Sequence, residues 1–387
     1  MTLLELPEPA SPMLSSARAP DDGEALAVRF EAFGGISRLA RLWCDLEARS
    51  APPFFLSWIW IGAWLETVRA TPLVLAVYAR ESCVGLGLVV PGSRSLFGLR
   101  RRALILHEVG DAAKDVSMIE DNGFLAARGY ERAVAGAALR FLGANAPGRI
   151  VASGVDDRVA EEARLAGWCS RVVASRPCPY RMLDPELGDD LAQLSRNARS
   201  QIARSMRLYE VDGPLTVTPS SSLAEAHRRF DAMGRLHQQR WVAAGKPGAF
   251  AFPAFKEFHR RVLAAGFSTG SADVLRIAAG SSEVGYLYNF FYRDEVYAYQ
   301  NGFAFGDDQR LKPGLVSHLL AFAHYRRLGA RRYRFLAGDS RYKRTLSTGS
   351  YDLHWLVLGR DDWMHRAESL ARHLRSRLRS RHDRRTS

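Results

Sequence analysis

Apolar positions along this chain change their spacing in a recurring order, clearest between Ser282 and Tyr351. The run VGYLYNFFYRDEVYAYQNGFAF holds two aromatic and β-branched stretches separated by Arg293, Asp294 and Glu295, which predicts a β-hairpin with a polar turn. After a break at 307–313, Leu315, Leu319, Phe322 and Ala323 recur at helical spacing, with Pro313 at the entrance and Gly329 just past the end. RRYRFLAGD then predicts a short strand, DSRYKRTLS a short helical segment and YDLHWLVL a last strand.

The first half follows the same order. Residues 36–48 and 57–68 predict helices, with Ser57 suited to cap the second and Phe54, Trp58, Ile61 and Leu65 spaced as a buried stripe. LVLAVYA and VGLGLVV form a hairpin pattern around 80–83, and RRALILHEV is a third strand. Residues 129–142 predict a helix, GRIVAS a strand, 156–166 a helix and 169–174 a strand. Hairpin, helix, strand, helix, strand therefore occurs twice, as in two copies of one supersecondary unit. The expected fold is α/β (α+β): two tandem domains, each a mixed central sheet flanked by helices.

Between the copies, 176–190 carries Pro177, Pro179, Pro185 and Gly188 and predicts a linker or crossover. The helix expected in 189–210 places Arg196, Arg199, Arg204 and Arg207 on one side and Leu191, Leu194, Ala198, Ile202 and Met206 on the other. Its basic face suits solvent or a phosphate. Two more helices, 223–244 and 254–265, flank a Gly- and Pro-containing loop suited to close over a substrate. His237, Arg240 and Trp241 share a face at the loop's edge. The implied division is a disordered lead at 1–24, domains at 25–185 and 186–360, and a basic tail at 361–387.

Composition narrows the class. A length of 387 residues favours two domains, and 47% apolar content supplies a core for each. No apolar run is long enough to span a bilayer, and the N-terminus has acids and prolines instead of a basic then apolar leader, so a cytoplasmic protein is expected. Cys44, Cys83, Cys169 and Cys178 show no C-x-x-C spacing, and the ten histidines no H-E-x-x-H, so no metal is expected. A G-x-S-x-G elbow is absent too. Of the net charge of +13, six units lie in 365–387, where Leu370, Leu374 and Leu378 recur every fourth residue. That tail reads as a solvated basic helix or as a dock for an anionic membrane surface.

Chemistry concentrates where the helix after the second hairpin begins. The amides of Gly314, Leu315 and Val316 are expected to point outward at the positive end of the helix dipole, with Lys312 adding a point charge. The same pattern also serves as a plain cap. LKPGLVSHLLAFAHYRRLGARRYRF, YAYQNGF and FLAGDSRYKRTLS resemble the CelD-type acetyltransferase domain of the GNAT superfamily, a relative of the Fem aminoacyl ligases. LHQQRWVAAGKPGAF resembles that family's signature before its second helix. The resemblance covers the second half strongly and the first half weakly. It implies tandem GNAT-like domains and a pyrophosphate of acyl-CoA (acetyl-CoA) held by Gln309, Lys312, Gly314, Leu315 and Val316. Where the superfamily loop carries several glycines, this chain has Arg310 to Pro313.

Resemblance also implies a tyrosine acid in the helix after the fifth strand. Tyr342, spaced to Gly349 and Tyr351 as in the superfamily's ending, is the candidate, and a core tyrosine is the alternative. Asp339 ends a strand where a base would stand, or caps the next helix. Gln300 and Lys343 are candidates for holding substrate, together with His237, Arg240, Trp241 and Arg199. Tyr299 and Gln300 are expected on opposite faces of their strand. The 108–124 turn of the first half is acidic and repels a pyrophosphate, so that half is expected to be degenerate and to shape an acceptor cleft. The expected activity is acyl transfer from acyl-CoA to an amine or hydroxyl on a small, sugar or lipid-linked acceptor; the resemblance suggests exopolysaccharide or cell-envelope biosynthesis. Its rivals are a Fem-like transferase using aminoacyl-tRNA and a non-catalytic membrane-docking module. Nucleic acid other than that tRNA is not expected as a partner.

Overall fold

The computed structural model describes residues 25–359 except 97–98, 116–118, 146–147, 185 and 187–189. The expected lead at 1–24, the basic tail at 361–387, and Pro185 and Gly188 of the connector lie outside the described residues.

The first half runs β1 (Leu26–Glu31), α1 (Ile36–Ala48), α2 (Trp58–Val68), β2 (Leu73–Ala79), β3 (Ser82–Leu96), β4 (Leu99–Leu106), β5 (Leu125–Ala126), α3 (Glu131–Asn145), β6 (Arg149–Val155), α4 (Asp157–Leu165) and β7 (Cys169–Met182). The second runs α5 (Arg196–Tyr209), β8 (Leu215–Thr218), α6 (Leu223–Ala243), α7 (Pro253–Gly266), β9 (Ala272–Ala279), β10 (Ser282–Tyr292), β11 (Glu295–Phe303), α8 (Pro313–Arg327), β12 (Arg332–Arg334), α9 (Arg341–Leu346) and β13 (Gly349–Gly359). Local chemistry sets several boundaries. Ser57 caps α2 by accepting from Trp60 N–H, and Ser195 caps α5 by accepting from Ala198 N–H, so α5 starts later than its apolar pattern suggests. Arg293 and Asp294, at φ 55° and 51°, make the tight turn between β10 and β11.

All these strands join one mixed sheet flanked by helices, in the order β1-β2-β3-β4-β6-β13-β7-β12-β11-β10-β9-β8, with β5 beside β3. Each half contains one parallel pair, β4 with β6 and β11 with β12. Beyond each pair the next strand comes from the other half: β13 lies against β6, and β7 against β12. The halves have exchanged their last strands, so the boundary near residue 185 divides the chain but not the sheet.

Of the two readings of 176–190, linker or crossover, this exchange corrects the linker. Through Met182 the segment is β7, paired with both β13 and β12. Its prolines are tolerated because 177 and 179 face the edge past the end of β12, where they only accept: Gly338 N–H donates to Pro177 O and Phe335 N–H to Pro179 O, each at 2.9 Å.

Aromatic packing ties the halves together. Phe54 stacks on Phe290 at 4.1 Å and 14°, and Trp60 of α2 meets Phe258 of α7 at 4.7 Å. Glu47 of α1 accepts from Tyr292 Oη at 2.7 Å, and its carbonyl accepts from Arg293 at 2.8 Å, which docks the β10–β11 turn onto the first half.

Candidate functional site

At the start of α8, Lys312 N–H donates to Ser205 Oγ of α5 at 2.8 Å, and Val316 N–H donates to Lys312 O at 3.1 Å. Val316 is therefore not one of the outward amides. Its bond is the first of the helix, so Gly314 and Leu315 remain as the first-turn donors, with no side-chain cap over them. A Cβ on Gly314 would stand 3.1 Å from the Phe303 ring, so a side chain there would require that ring to shift by a few tenths of an ångström. Gln309 is exposed on the loop before the helix.

Beside this helix the parallel pair opens. β11 and β12 pair only from Glu295↔Arg332 to Tyr297↔Arg334, and β11 continues to Phe303 without β12. A bulge lies in that free stretch: Ala298 pairs with Asn289 and Gln300 with Tyr288, leaving Tyr299 extra. Tyr299 and Gln300 thus both stand opposite Tyr288, contrary to simple alternation, and the shifted parity brings Asn301 to Tyr342.

Tyr342 stacks on His318 of α8, ring centres 5.3 Å apart and planes 9° from parallel. Burial pushes its phenol up to about 12, while Asn301, Ser340 and the charge of Arg240 pull the other way. The hydroxyl is protonated at neutral pH. His318 is 1% exposed; its Nδ1 lies 2.9 Å from Tyr333 Oη, and its Nε2 has no protein partner. Burial, assisted by Lys343, lowers this imidazole to about 3, so it is neutral. Sequence reading missed both Asn301 and His318: a bulge hid the first, and the second lies among the apolar residues of α8.

The other candidates divide. Arg240 is exposed, sits 4.4 Å over the Phe305 ring and acts electrostatically on Tyr342, so α6, β11 and α9 converge there. His237 is buried among Trp241 and Phe250 at 5.6 and 5.1 Å, and burial lowers it to about 4; it is a packing residue. Trp241 is 39% exposed, with Lys246 Nζ 5.4 Å from its ring. Arg199 is exposed on α5 and donates to Ala192 O. Lys343 turns inward and donates to Leu336 O and Ala337 O at 3.0 and 2.9 Å, so it braces the chain after β12 instead of reaching for substrate. Asp339 is exposed and paired with Arg344, which leaves the proposed base committed to a surface ion pair.

A better placed carboxylate comes from the first half. Glu120 Oε2 accepts from Ala337 N–H at 2.6 Å, in the segment where β12 has parted from β11. Burial raises its carboxyl to about 7, opposed by the Ala337 hydrogen bond, Lys343 and Arg176, and reinforced by Asp121. The acidic turn thus faces into the second half: Asp121 accepts from Arg334 at 3.1 Å and from Tyr351 Oη at 3.0 Å, and Arg334 also pairs with Glu295 at 2.7 Å. This network borders a cavity of 600 Å³ lined by both halves. Among the described residues, no cluster of three His, Cys, Asp or Glu side chains is placed for a metal, and no helix is long and apolar enough to cross a membrane.

Residues 196–344 match the family model described as an acetyltransferase (GNAT) domain. The second half is thus similar to a GNAT acetyltransferase domain. No curated protein matches the chain. Among solved structures, FemX is 10% identical, with a TM-score of 0.55 over 82% of this chain and 95% of that one. The C-terminal domain of a putative lysylphosphatidylglycerol synthetase from Agrobacterium fabrum is 12% identical, with a TM-score of 0.50 over 87% and 95%. L-PGS from Bacillus licheniformis is 9% identical, with a TM-score of 0.50 over 86% and 96%. At these identities the likeness is one of fold.

Proposed function

We propose that the chain transfers an acyl group from an acyl-CoA donor to an amine or hydroxyl acceptor, with the second half binding the donor. The observation that supports this reading is the parting of β11 from β12 after Tyr297, with uncapped first-turn amides at the start of α8, Tyr342 bonded to Asn301 of β11, and Glu120 bonded to Ala337 just past β12. The first-turn amides and Lys312 suit a diphosphate. With an amine acceptor, Glu120 takes a proton from the ammonium, the neutral nitrogen adds to the thioester carbonyl, the carbonyl re-forms as the carbon–sulfur bond breaks, and the second proton lost by nitrogen passes through water to the departing thiolate. A phenol near 12 does not readily surrender its proton to a thiolate whose thiol titrates at about 8.5. Tyr342 therefore acts by donating a hydrogen bond to sulfur as charge develops, while water relays the nitrogen's proton to it.

Acetyl-CoA is expected to raise the melting temperature of the full chain, and Lys312→Glu to abolish that rise. Tyr342→Phe should keep the rise but lower thioester turnover about 100-fold in a thiol-release assay. Unchanged turnover would return Tyr342 to the core. A second reading, transfer from aminoacyl-tRNA, is favoured by one feature: Arg196, Arg199, Arg204 and Arg207 are all exposed on α5, whose Ser205 touches the start of α8. A melting shift with charged tRNA and none with acetyl-CoA would select it.

A further inference from the structure

Where β4, β6 and β13 lie side by side, the sheet carries a small apolar cluster apart from the two main cores: Ala103 and Ile105 of β4, Val151 of β6 and Val357 of β13. Register sets three of them in one row, since Ile105 pairs with Val151 and Val151 with Val357, and Ala103 precedes Ile105 by two residues on the same face. The alternating positions Leu104, Ile150, Leu356 and Leu358 belong to the large core on the opposite side. All four cluster residues are buried, at 4, 2, 5 and 3% exposure. Among the described residues, however, no other apolar side chain packs against them. Backbone at Gly92 and Gly110 borders Ile105, at one side of the cluster. Three adjacent strands present a face about 10 Å wide, which matches the diameter of a single helix.

The described chain leaves the sheet at this place. β13 ends at Gly359, two residues past Val357 and level with Arg149 of β6, whose side chain is 7% exposed. Next in sequence come Asp361 and Asp362, which the chain can carry no farther than about 10 Å from Gly359 and which suit the neighbourhood of a buried guanidinium. Beyond them Trp363, Ala367, Leu370, Leu374 and Leu378 recur at the spacing of one helix face, while Arg372, Arg375 and Arg379 fall on the opposite side. A short amphipathic helix is stabilised chiefly by a surface for its apolar face to lie on, and the cluster is a surface with a cover still to be named.

We propose that residues 361–387 fold back as a helix whose apolar stripe covers Ala103, Ile105, Val151 and Val357. The basic tail then belongs to the fold. It clamps β13, the strand that the second half lends to the first, onto β6 and β4, and it turns Arg372, Arg375 and Arg379 outward.

Serine in place of Leu370, Leu374 and Leu378 breaks this contact without shortening the chain. In the full chain, Val151→Ala is expected to lower the melting temperature by about 2–4 °C when the leucines are present and by less than half as much when they are serine, because both changes act on one contact. In a Val357→Cys variant, labelling of that thiol by a maleimide, followed peptide by peptide, should quicken about tenfold on the same serine substitutions. Arg375→Gln with Arg379→Gln should leave both readouts unchanged. Equal effects of Val151→Ala in the two backgrounds, or unchanged labelling, would mean that something else covers the cluster and would overturn the proposal. Binding of the full chain to phosphatidylglycerol vesicles in about 0.15 M salt that disappears with the serine substitutions would overturn it too, by showing the stripe free for lipid. So would a dimer in sedimentation that those substitutions dissolve, since the cover would then come from a second copy.

Discussion

Glu120→Gln is expected to lower turnover of acetyl-CoA with a primary amine about 10²- to 10⁴-fold while making the protein more stable at pH 8. Glutamine keeps an oxygen for Ala337 N–H but cannot accept a proton. The groups facing this carboxylate come from five elements: Asp121 on its own turn, Lys343 of α9, Arg176 and Cys178 of β7, Tyr299 of β11 and Tyr351 of β13. Burial outweighs the cations among them, and the carboxyl is raised from 4.5 to about 7. For an acid the sign is definite. Below 4.5 it is protonated in both folded and unfolded chains and costs nothing. As pH rises through 4.5 the unfolded chain ionises first, and stability falls until the folded group ionises near 7. The loss above that point is about 3 kcal/mol. Melting curves of both proteins should therefore differ at pH 8, with the variant higher, and converge at pH 4. A variant that melts lower at pH 8 and keeps its turnover would remove both the base and the buried acid.

Such a residue was hard to find in sequence because what matters about it is distant. Glu120 and Ala337 are 217 positions apart, and an acidic turn seen alone reads as a repulsive surface. What is local was legible. α1 begins and ends where its apolar spacing does, Ser57 caps α2, and the doubled order of elements was readable in each half. Pairing and parity were not. β1, β8 and β9 carry little local signal: β1 and β8 are short and lie on outer edges, and β9 is nearly continuously apolar. The prolines of β7 announced a linker because a proline's meaning depends on which edge it faces, a property of the neighbouring strand. The bulge at Tyr299 reversed the expected facing of Gln300 and delivered Asn301 in its place. Tyr342 and Arg240 were identifiable by residue type and motif, and folding placed them together.

Residues 196–344 produced alone, the span matching the acetyltransferase domain, are expected not to fold cooperatively. That span includes β12 but neither of the exchanged strands. β12 has three residues, Arg332 to Arg334, and is held against β7 at Met182, Arg181 and Tyr180; without β7 its outer edge has no partner and its register has one neighbour. Arg181, 1% exposed, pairs with Asp190 at 3.1 Å and donates to Leu346 O at 3.1 Å; the span lacks all three residues and ends inside α9, so the helix that carries Tyr342 loses its anchorage. The helical side fares no better. Phe258 and Phe290 lose Trp60 and Phe54, and exposing large aromatic side chains costs about 1.5–3 kcal/mol each. A few such losses consume the roughly 5–15 kcal/mol that hold a protein folded. Dispersed amide resonances and a sharp melt from the isolated span would disprove this. Co-production of two pieces cut between Asp184 and Asp190 supplies the converse. Each piece contributes the strand the other lacks, β7 to β12 and β13 to β6, so the pair should copurify and bind acetyl-CoA where neither piece does alone. Recovery in that order would mean that the first half, whatever it binds, builds the donor site as well as the acceptor cleft.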